Sequence, residues 1–253
     1  MALLPCCEHP MSHINVRLAA HSFESVWDKL ASQGYALIDD EAIGLPEKFR
    51  THFHATYFTD FTVRHDEGDF PVDRKRARDV IRYQWHDDFF DVTEHDTISI
   101  TDRAGIDGKR DHRRIEFLRD PEARELVSAF LSLVPPSLRP PESTLGVNLF
   151  RTFTDVVTKP QRDSERFVIL YVLERVGGGA VSYLYRPEDV SEAGEALAEP
   201  LLWHHMNPGE MLIFDDERFV HGATRLIAPR GKKTGRRDVV VCTMDYPETY
   251  LAA

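Results

Sequence analysis

Cysteine is scarce in this 253-residue sequence, which contains only three. Cys6 and Cys7 are adjacent and Cys242 stands alone, so they form neither a disulfide framework nor the paired Cys-x-x-Cys spacing of a zinc site. Disulfides are typical of oxidising compartments and rare in the cytoplasm. The cysteine content therefore favours a reducing, cytoplasmic location and argues against a disulfide-rich secreted domain.

Long apolar runs and an excess of basic residues are also missing. No stretch of about 18 apolar residues occurs, so no membrane-spanning helix is predicted. Residues 1–10 lack the basic start and apolar core of a signal peptide. The 31 Lys and Arg residues are outnumbered by 42 Asp and Glu residues, which gives a net charge of −11. Nucleic-acid-binding proteins present basic patches instead, so we expect small-molecule ligands and neither a nucleic-acid nor a membrane partner.

Helical signals are concentrated in the first half of the chain. Apolar residues recur at helical spacing over 22–33, which Gly34 would end, and again over 45–58. The stretch Asp120 to Glu122 predicts the start of a third helix, with an N-cap, a proline at the first position and an acid in the first turn. Residues 62–114 mix Asp, Arg and His with aromatics, which is more typical of loops over a site than of a core.

The second half of the sequence consists of short β-type segments separated by Gly, Pro and Asp. These segments are 145–153, 167–176, 180–185, 211–214, 219–226 and 239–244. Short strands at this spacing favour a β-sandwich or barrel. Since no repeat or linker interrupts the chain, we predict one α+β domain over residues 1–253, with a helix-rich part at 14–140 and a β core at 141–246.

Three residues of the second half have the chemistry of a metal site. Gln161 and Asp163 are two apart at the start of a predicted strand, so both side chains point to one face and can reach one ion. His221 lies in a later strand. Non-heme iron oxygenases bind iron through one face, normally with two histidines and one carboxylate, and leave positions open for a chelating co-substrate and oxygen. Arg237 would then hold the distal carboxylate of that co-substrate.

Four motifs occur in a defined order along this half. They are Gln161-Arg162-Asp163 before an apolar strand, the double glycine Gly178-Gly179, a Leu-x-Phe…His-x-x-Thr pattern over 212–224, and Arg237-Asp238 before the last apolar strand. In this order and spacing, residues 145–246 resemble the bacterial iron and 2-oxoglutarate-dependent dioxygenases that hydroxylate free amino acids, the L-isoleucine dioxygenase group. The first half resembles that family only loosely.

The resemblance implies a fold, a reaction and a set of site residues. The fold would be a double-stranded β-helix, or jelly roll, with N-terminal helices packed on it. Fe(II) would be bound by Asp163, His221 and Gln161, and 2-oxoglutarate by Arg237 with Thr224 as a helper. Arg151 would bind the carboxylate of an amino-acid substrate. The reaction would use O₂ to oxidise a C–H bond of this substrate.

The sequence departs from this family at Gln161, which stands where the family has its first histidine. An amide oxygen is a poorer ligand for Fe(II) than an imidazole nitrogen. Three readings stay open. Gln161 binds iron weakly or through water; another histidine replaces it; or oxygenase chemistry has been lost. The histidines considered as replacements are His204, His205, His52 and His54.

Two alternative functions and one supporting residue complete the predictions. A binding protein without turnover on the same fold is the main rival, because fold does not determine function. A metal-dependent hydrolase is less well supported, since neither a carboxylate-rich nor a three-histidine zinc set can be assembled from neighbouring strands. Asp216 is a candidate for orienting the His221 ring, although paired aspartates such as Asp215-Asp216 more often form turns.

Overall fold

A computed structural model describes residues 14–17, 23–64, 74–94, 99–100, 110–111, 115–153, 158–162 and 166–244. These residues form three α-helices: α1 Glu24–Gln33, α2 Phe49–Tyr57 and α3 Pro121–Leu133. They also form sixteen strands: β1 Ile14–Arg17, β2 Tyr35–Asp39, β3 Arg74–Trp85, β4 Phe89–Glu94, β5 Ser99–Ile100, β6 Arg110–Asp111, β7 Glu142–Phe153, β8 Thr158–Gln161, β9 Phe167–Val176, β10 Gly178–Gly179, β11 Ser182–Tyr185, β12 Leu202–His204, β13 Glu210–Asp215, β14 Val220–Ala223, β15 Leu226–Ile227 and β16 Arg236–Met244.

All three predicted helices are confirmed, and local signals account for their ends. Helix α1 stops at Gly34, whose φ of 86° is a left-handed conformation that glycine adopts at little cost. Helix α3 starts at Asp120, whose carboxylate accepts the backbone N–H of Glu122 at 2.9 Å, and Pro121 occupies its first position. Within the described residues, none of the helices has the length and apolar character needed to cross a membrane.

Two antiparallel sheets form the body of the protein. The major sheet has eight strands in the order β1-β4-β3-β7-β16-β9-β13-β2, and the minor sheet has four in the order β12-β11-β14-β8. Consecutive strands of the chain often lie in different sheets, as β7, β8 and β9 do. This arrangement is the predicted double-stranded β-helix, and it places β8 and β14 opposite the inner face of the major sheet.

Strand β9 shows how the two faces of the major sheet are used. Because side chains alternate along a strand, Ile169 and Tyr171 pack toward the helices, whereas Val168 and Val172 pack toward the minor sheet. On the helix side, Phe53 of α2 is fully buried. Burying one such side chain stabilises the fold by roughly 1.5–3 kcal/mol. The helices thus cover the outer face of the major sheet, and its inner face is left to pack against the minor sheet.

The prediction of loops over 62–114 is wrong for the described part that contains β3 and β4. Strand β3 pairs with β7 along eleven residues, from Arg74 opposite Thr152 to Gln84 opposite Glu142. Its outer face carries the buried side chains of Ala77 and Ile81. Its inner face carries half-buried arginines at every second position, Arg74, Arg76 and Arg78. The strand period of two is present, but Lys75 and Asp79 interrupt the apolar residues of the outer face and so conceal it.

Candidate metal and co-substrate site

A cavity of about 120 Å³ lies between the two sheets. Four predicted site residues line it: Gln161, His221, Thr224 and Arg237. The walls between them are apolar, with side chains that come mainly from the inner face of the major sheet: Phe150, Leu170, Val239 and Val241. A small cavity with apolar walls and a few polar groups is the usual form of a small-molecule site.

Gln161 and His221 are brought together by strand pairing. They are direct cross-strand partners in the β8–β14 ladder, although they are distant in sequence. Residues opposite each other in an antiparallel pair point to the same face, with Cβ atoms about 5 Å apart. His221 is buried and Gln161 is exposed, so the pair runs from the interior of the cavity toward its rim. The third predicted ligand, Asp163, lies outside the described residues.

The imidazole of His221 is held by the carboxylate of Asp216. Its Nδ1 lies 2.9 Å from Asp216 Oδ1, and Asp216 is fully buried. Nδ1 therefore donates a hydrogen, which makes Nε2 the ring nitrogen with a lone pair for a metal. The predicted contact between Asp216 and the His221 ring is therefore present in the structure. Its neighbour Asp215 forms the turn contact instead, accepting the backbone N–H of Glu217 at 3.1 Å.

Arg237 is a buried cation on the inner face. Its guanidinium donates to Ser182 Oγ at 3.2 Å and lies 3.7 Å from Met206 Sδ. Its Nε has no hydrogen-bond partner among the described residues, and no carboxylate within them forms an ion pair with it. Burial lowers the pKa of Arg237 to about 10, and the nearby Arg175 and Arg74 add to this effect. A buried charge is unfavourable unless it is paired, so this position favours a bound anion.

Thr224 and Ser182 add hydroxyl groups to the same part of the cavity. Thr224 Oγ1 accepts the backbone N–H of Val181 at 2.9 Å, which anchors its side chain. Ser182 is almost fully buried on β11 and contacts Arg237 directly. Ser182 is not among the residues predicted for the site, because nothing in the neighbouring sequence marks it. Its place in the site depends on the minor sheet packing over β16.

Arg151 lies on the opposite face of the major sheet and does not line this cavity. Its Nε lies 2.9 Å from Asp238 Oδ1 and one terminal nitrogen lies 2.9 Å from Asp238 Oδ2. The same nitrogen donates to the carbonyl of Phe58 at 2.6 Å. Although burial lowers it, the pKa of Arg151 is raised overall by the hydrogen bonds to Asp238. The structure thus uses Arg151 in a buried ion pair.

A second group of possible metal ligands surrounds that ion pair. His54 Nε2 lies 2.7 Å from Asp238 Oδ2 and 3.3 Å from Glu174 Oε2, close enough for one ion to bridge all three residues. Arg151 and Arg236 already pair with these two carboxylates. Because the arginines balance the acidic charge, this group is an ion-pair network that holds α2 on the outer face of the sheet.

The other candidate histidines are occupied outside the cavity. His204 Nε2 lies 3.0 Å from Glu210 Oε2, and His52 Nε2 lies 3.6 Å from Glu122 Oε2. His205 is exposed, and its pKa is lowered by partial burial and by Arg175. Of the histidines in the described ranges, only His221 lines the cavity.

Comparison with known proteins gives one family and several structural relatives. The family described as 2OG-Fe dioxygenase matches residues 56–243. Comparison with curated proteins finds no match. The chain is similar in structure to a bsmA homologue from Methylobium petroleophilum PM1, with a TM-score of 0.72, 16% identity and coverage of 91% of this chain and 96% of that one.

Two further structural relatives have similar coverage. IDO from Bacillus thuringiensis has a TM-score of 0.64 and 16% identity over 90% of this chain and 96% of its own. The Fe(II)/α-ketoglutarate-dependent dioxygenase TqaL has a TM-score of 0.61 and 12% identity over 89% of this chain and 87% of its own. At these identities the relatives establish the fold.

Proposed function

Because the chain belongs to the 2OG-Fe dioxygenase family, whose cofactors are Fe(II) and 2-oxoglutarate, we propose that it oxidises a C–H bond of a free amino acid or a close derivative. Hydroxylation is the expected outcome. The observation that supports a working co-substrate site is Arg237, a buried guanidinium with no carboxylate partner in the described part of the chain. Bound Fe(II), with 2-oxoglutarate and O₂, supplies the oxidising power.

The residues that would hold iron are His221, Asp163 and Gln161. The buried contact with Asp216 favours this role for His221, since it directs Nε2 away from the carboxylate. The cross-strand pairing with His221 favours Gln161 as a neighbour of the same ion. An amide oxygen is the weakest donor of the three. We therefore propose a site that binds iron less tightly than two histidines and a carboxylate would.

The residues that would hold 2-oxoglutarate are Arg237, Ser182 and Thr224. A guanidinium binds a carboxylate through two parallel N–H donors, and Arg237 has an Nε donor without a partner among the described residues. Ser182 already contacts this guanidinium and Thr224 lies beside it on the cavity wall. The apolar walls would exclude water from the reacting groups, which prevents loss of the oxidising equivalent to side reactions.

The substitution of an amide for the family's histidine favours a second candidate, a protein that binds 2-oxoglutarate without turnover. Two measurements separate these candidates. Anaerobic addition of Fe(II) and 2-oxoglutarate is expected to produce a weak visible charge-transfer band, and a panel of L-amino acids is expected to stimulate succinate formation. A band without stimulated succinate from any member of the panel would favour the binding protein. If neither the charge-transfer band nor stimulated succinate formation is observed, both candidate functions are contradicted.

A further inference from the structure

Strand β9 contains a β-bulge beside the candidate site. Asp238 and Val239 are consecutive on β16. Their partners on β9 are Glu174 and Val172, which leaves Leu173 as an extra residue in the strand. Leu173 packs into the core on the helix side, and Glu174 joins the ion-pair network on the same side. The bulge thus breaks the alternation of faces, and the next residue of β9 is turned to the inner face of the major sheet.

That next residue is Arg175, which brings a second guanidinium close to Arg237. The two arginines are direct cross-strand partners, so their side chains point to the same face. Arg175 is half-buried and is not among the described residues that line the cavity, whereas Arg237 lines it. Like charges directly opposite each other destabilise a sheet. An arginine at position 175 therefore needs contacts that offset this repulsion.

The loop that connects β12 to β13 provides these contacts. One terminal nitrogen of Arg175 donates to the carbonyl of Met206 at 2.9 Å, and the other lies 3.5 Å from Asn207 Oδ1. Burial lowers the pKa of Arg175, and the carboxylate of Glu210 opposes this effect. The same carboxylate accepts the backbone N–H of Asn207. The loop is thus tied to β9 through Met206 and to the start of β13 through Asn207.

Met206 connects this loop to the guanidinium of Arg237. The Met206 side chain is almost fully buried, and its sulfur lies 3.7 Å from a terminal nitrogen of Arg237 and 3.5 Å from Ser182 Oγ. The same nitrogen donates to Ser182 Oγ at 3.2 Å. Sulfur and hydroxyl therefore hold one end of the guanidinium, while Nε has no hydrogen-bond partner among the described residues. Arg237 is oriented in this way before any anion arrives.

We propose that Arg175 is a positioning residue for the co-substrate, which fixes Met206 so that Arg237 is held in one orientation before 2-oxoglutarate binds. The inference rests on the proposed function, which assigns Arg237 to 2-oxoglutarate. A long side chain that is ordered in advance loses less rotamer entropy when the ligand binds. Arg175 acts from behind the cavity wall, so it raises the affinity for the co-substrate without contacting it.

Three substitutions test this series of contacts. Arg175→Met removes the donor to the Met206 carbonyl but keeps an unbranched side chain, Arg175→Lys keeps a donor, and Met206→Ala removes the sulfur. The double variant Arg175→Met/Met206→Ala completes a double-mutant cycle. Thermal unfolding shows whether each variant keeps the fold. Should Arg175→Met fail to fold, Arg175→Ala takes its place in the cycle.

Arg139→Leu is the matched control. Arg139 also donates to a backbone carbonyl, that of Val134 at 2.9 Å, and its guanidinium stacks over the ring of Trp85. These residues lie on the helix side of the major sheet, away from the cavity. The control therefore removes an arginine of the same kind without touching the contacts of Arg237.

Binding of 2-oxoglutarate is measured by anaerobic calorimetry on protein loaded with Fe(II), and binding of Fe(II) by anaerobic titration. We expect Arg175→Met and Met206→Ala each to weaken 2-oxoglutarate binding about 3- to 10-fold, because one long side chain must then be ordered on binding. Arg175→Lys should recover most of this loss, and the double variant should be no weaker than the weaker single variant. Iron affinity in all variants, and 2-oxoglutarate affinity in Arg139→Leu, should stay at the wild-type value.

Four results would overturn the inference. Wild-type affinity for 2-oxoglutarate in Arg175→Met would remove Arg175 from any role at the site. Additive losses in the double variant would show that Arg175 does not act through Met206. An Arg175→Lys variant as weak as Arg175→Met would show that the donor to the Met206 carbonyl is not what matters. A parallel loss of iron affinity would show a general disturbance of the cavity.

In each of these cases the proposed function stands, provided that wild type binds 2-oxoglutarate and Arg237→Leu binds it far more weakly. If wild type itself does not bind 2-oxoglutarate, the inference and the proposed co-substrate site both fail.

Discussion

Arg237 and Asp238 follow each other on β16 and point to opposite faces of the major sheet. Arg237 enters the cavity between the sheets, and Asp238 pairs with Arg151 and His54 beneath the helices. The alternation of a strand places one charge at the candidate site and the next in the ion-pair network behind it. The network anchors the strand segment from which Arg237 projects.

The role assigned to Arg237 predicts a selective effect on the co-substrate. We expect Arg237→Leu to raise the apparent requirement for 2-oxoglutarate by about thirtyfold or more, because a charge-assisted bidentate contact is worth roughly 2–3 kcal/mol. The requirement for the amino-acid substrate should change much less. Arg236→Leu is the control, since Arg236 faces the other side and pairs with Glu174. A large effect in the control, with none in Arg237→Leu, would move the assignment by one residue.

The metal site predicts that His221→Ala and Asp163→Ala each abolish iron-dependent turnover while leaving the fold intact. Neither substitution removes a large apolar side chain, so both variants should fold. His221→Ala should unfold at a lower temperature than wild type, because it takes a hydrogen-bond partner from the buried carboxylate of Asp216. Turnover is followed as succinate formation with saturating Fe(II). Near-normal activity in either variant would show that the ligand is assigned wrongly.

The ligand role proposed for Gln161 predicts an order of iron affinities among wild type and two variants at this position. If its amide is a ligand, imidazole at the same position should bind Fe(II) more tightly and a methyl group less tightly. Anaerobic iron titration should then rank Gln161→His above wild type and wild type above Gln161→Ala. Activity need not follow affinity, because a small misplacement of a ligand near the reacting centre slows the reaction. Equal iron binding by wild type and Gln161→Ala would exclude Gln161 as a ligand.

The ion pair between Arg151 and Asp238 predicts a pH-dependent stability difference. Burial raises the pKa of Asp238, but the hydrogen bonds from His54 and Arg151 outweigh it and lower this pKa below its ordinary value. A carboxyl group with a lowered folded-state pKa stabilises the fold above its unfolded-state pKa of about 3.9, and this contribution is lost as pH falls through the folded-state value.

Asp238→Asn should therefore destabilise the protein by about 3–5 kcal/mol at pH 7, since it leaves Arg151 buried with its carboxylate partner removed. Urea unfolding measures the free energy of unfolding at each pH. The difference from wild type should begin to shrink as pH falls below about 4, where the unfolded-state carboxyl becomes protonated, and should be lost once pH passes the lower folded-state pKa of Asp238. A difference that stays constant from pH 7 to the acid limit would contradict the assigned charge.

Local signals in the sequence were sufficient for the helices and for most of the β core. The N-cap at Asp120 and the terminating Gly34 act within one turn of the chain, so the residues themselves determine where α3 begins and α1 ends. The apolar run of β9, Phe167–Val176, was predicted with the bounds that the structure has. Its burial on both faces leaves few alternatives to a central strand.

The composition of the candidate site was decided by tertiary structure. Gln161 and His221 meet only because β8 pairs with β14 in one register, and a shift of one residue would turn either side chain to the other face. Arg151 was predicted at the site but faces the helices. Arg74 lies in a stretch whose sequence predicts a loop, yet it lines the cavity. Sequence periodicity shows that residues alternate between two faces. Only the packing of helices on one face and of the minor sheet on the other determines which side chains meet the ligand.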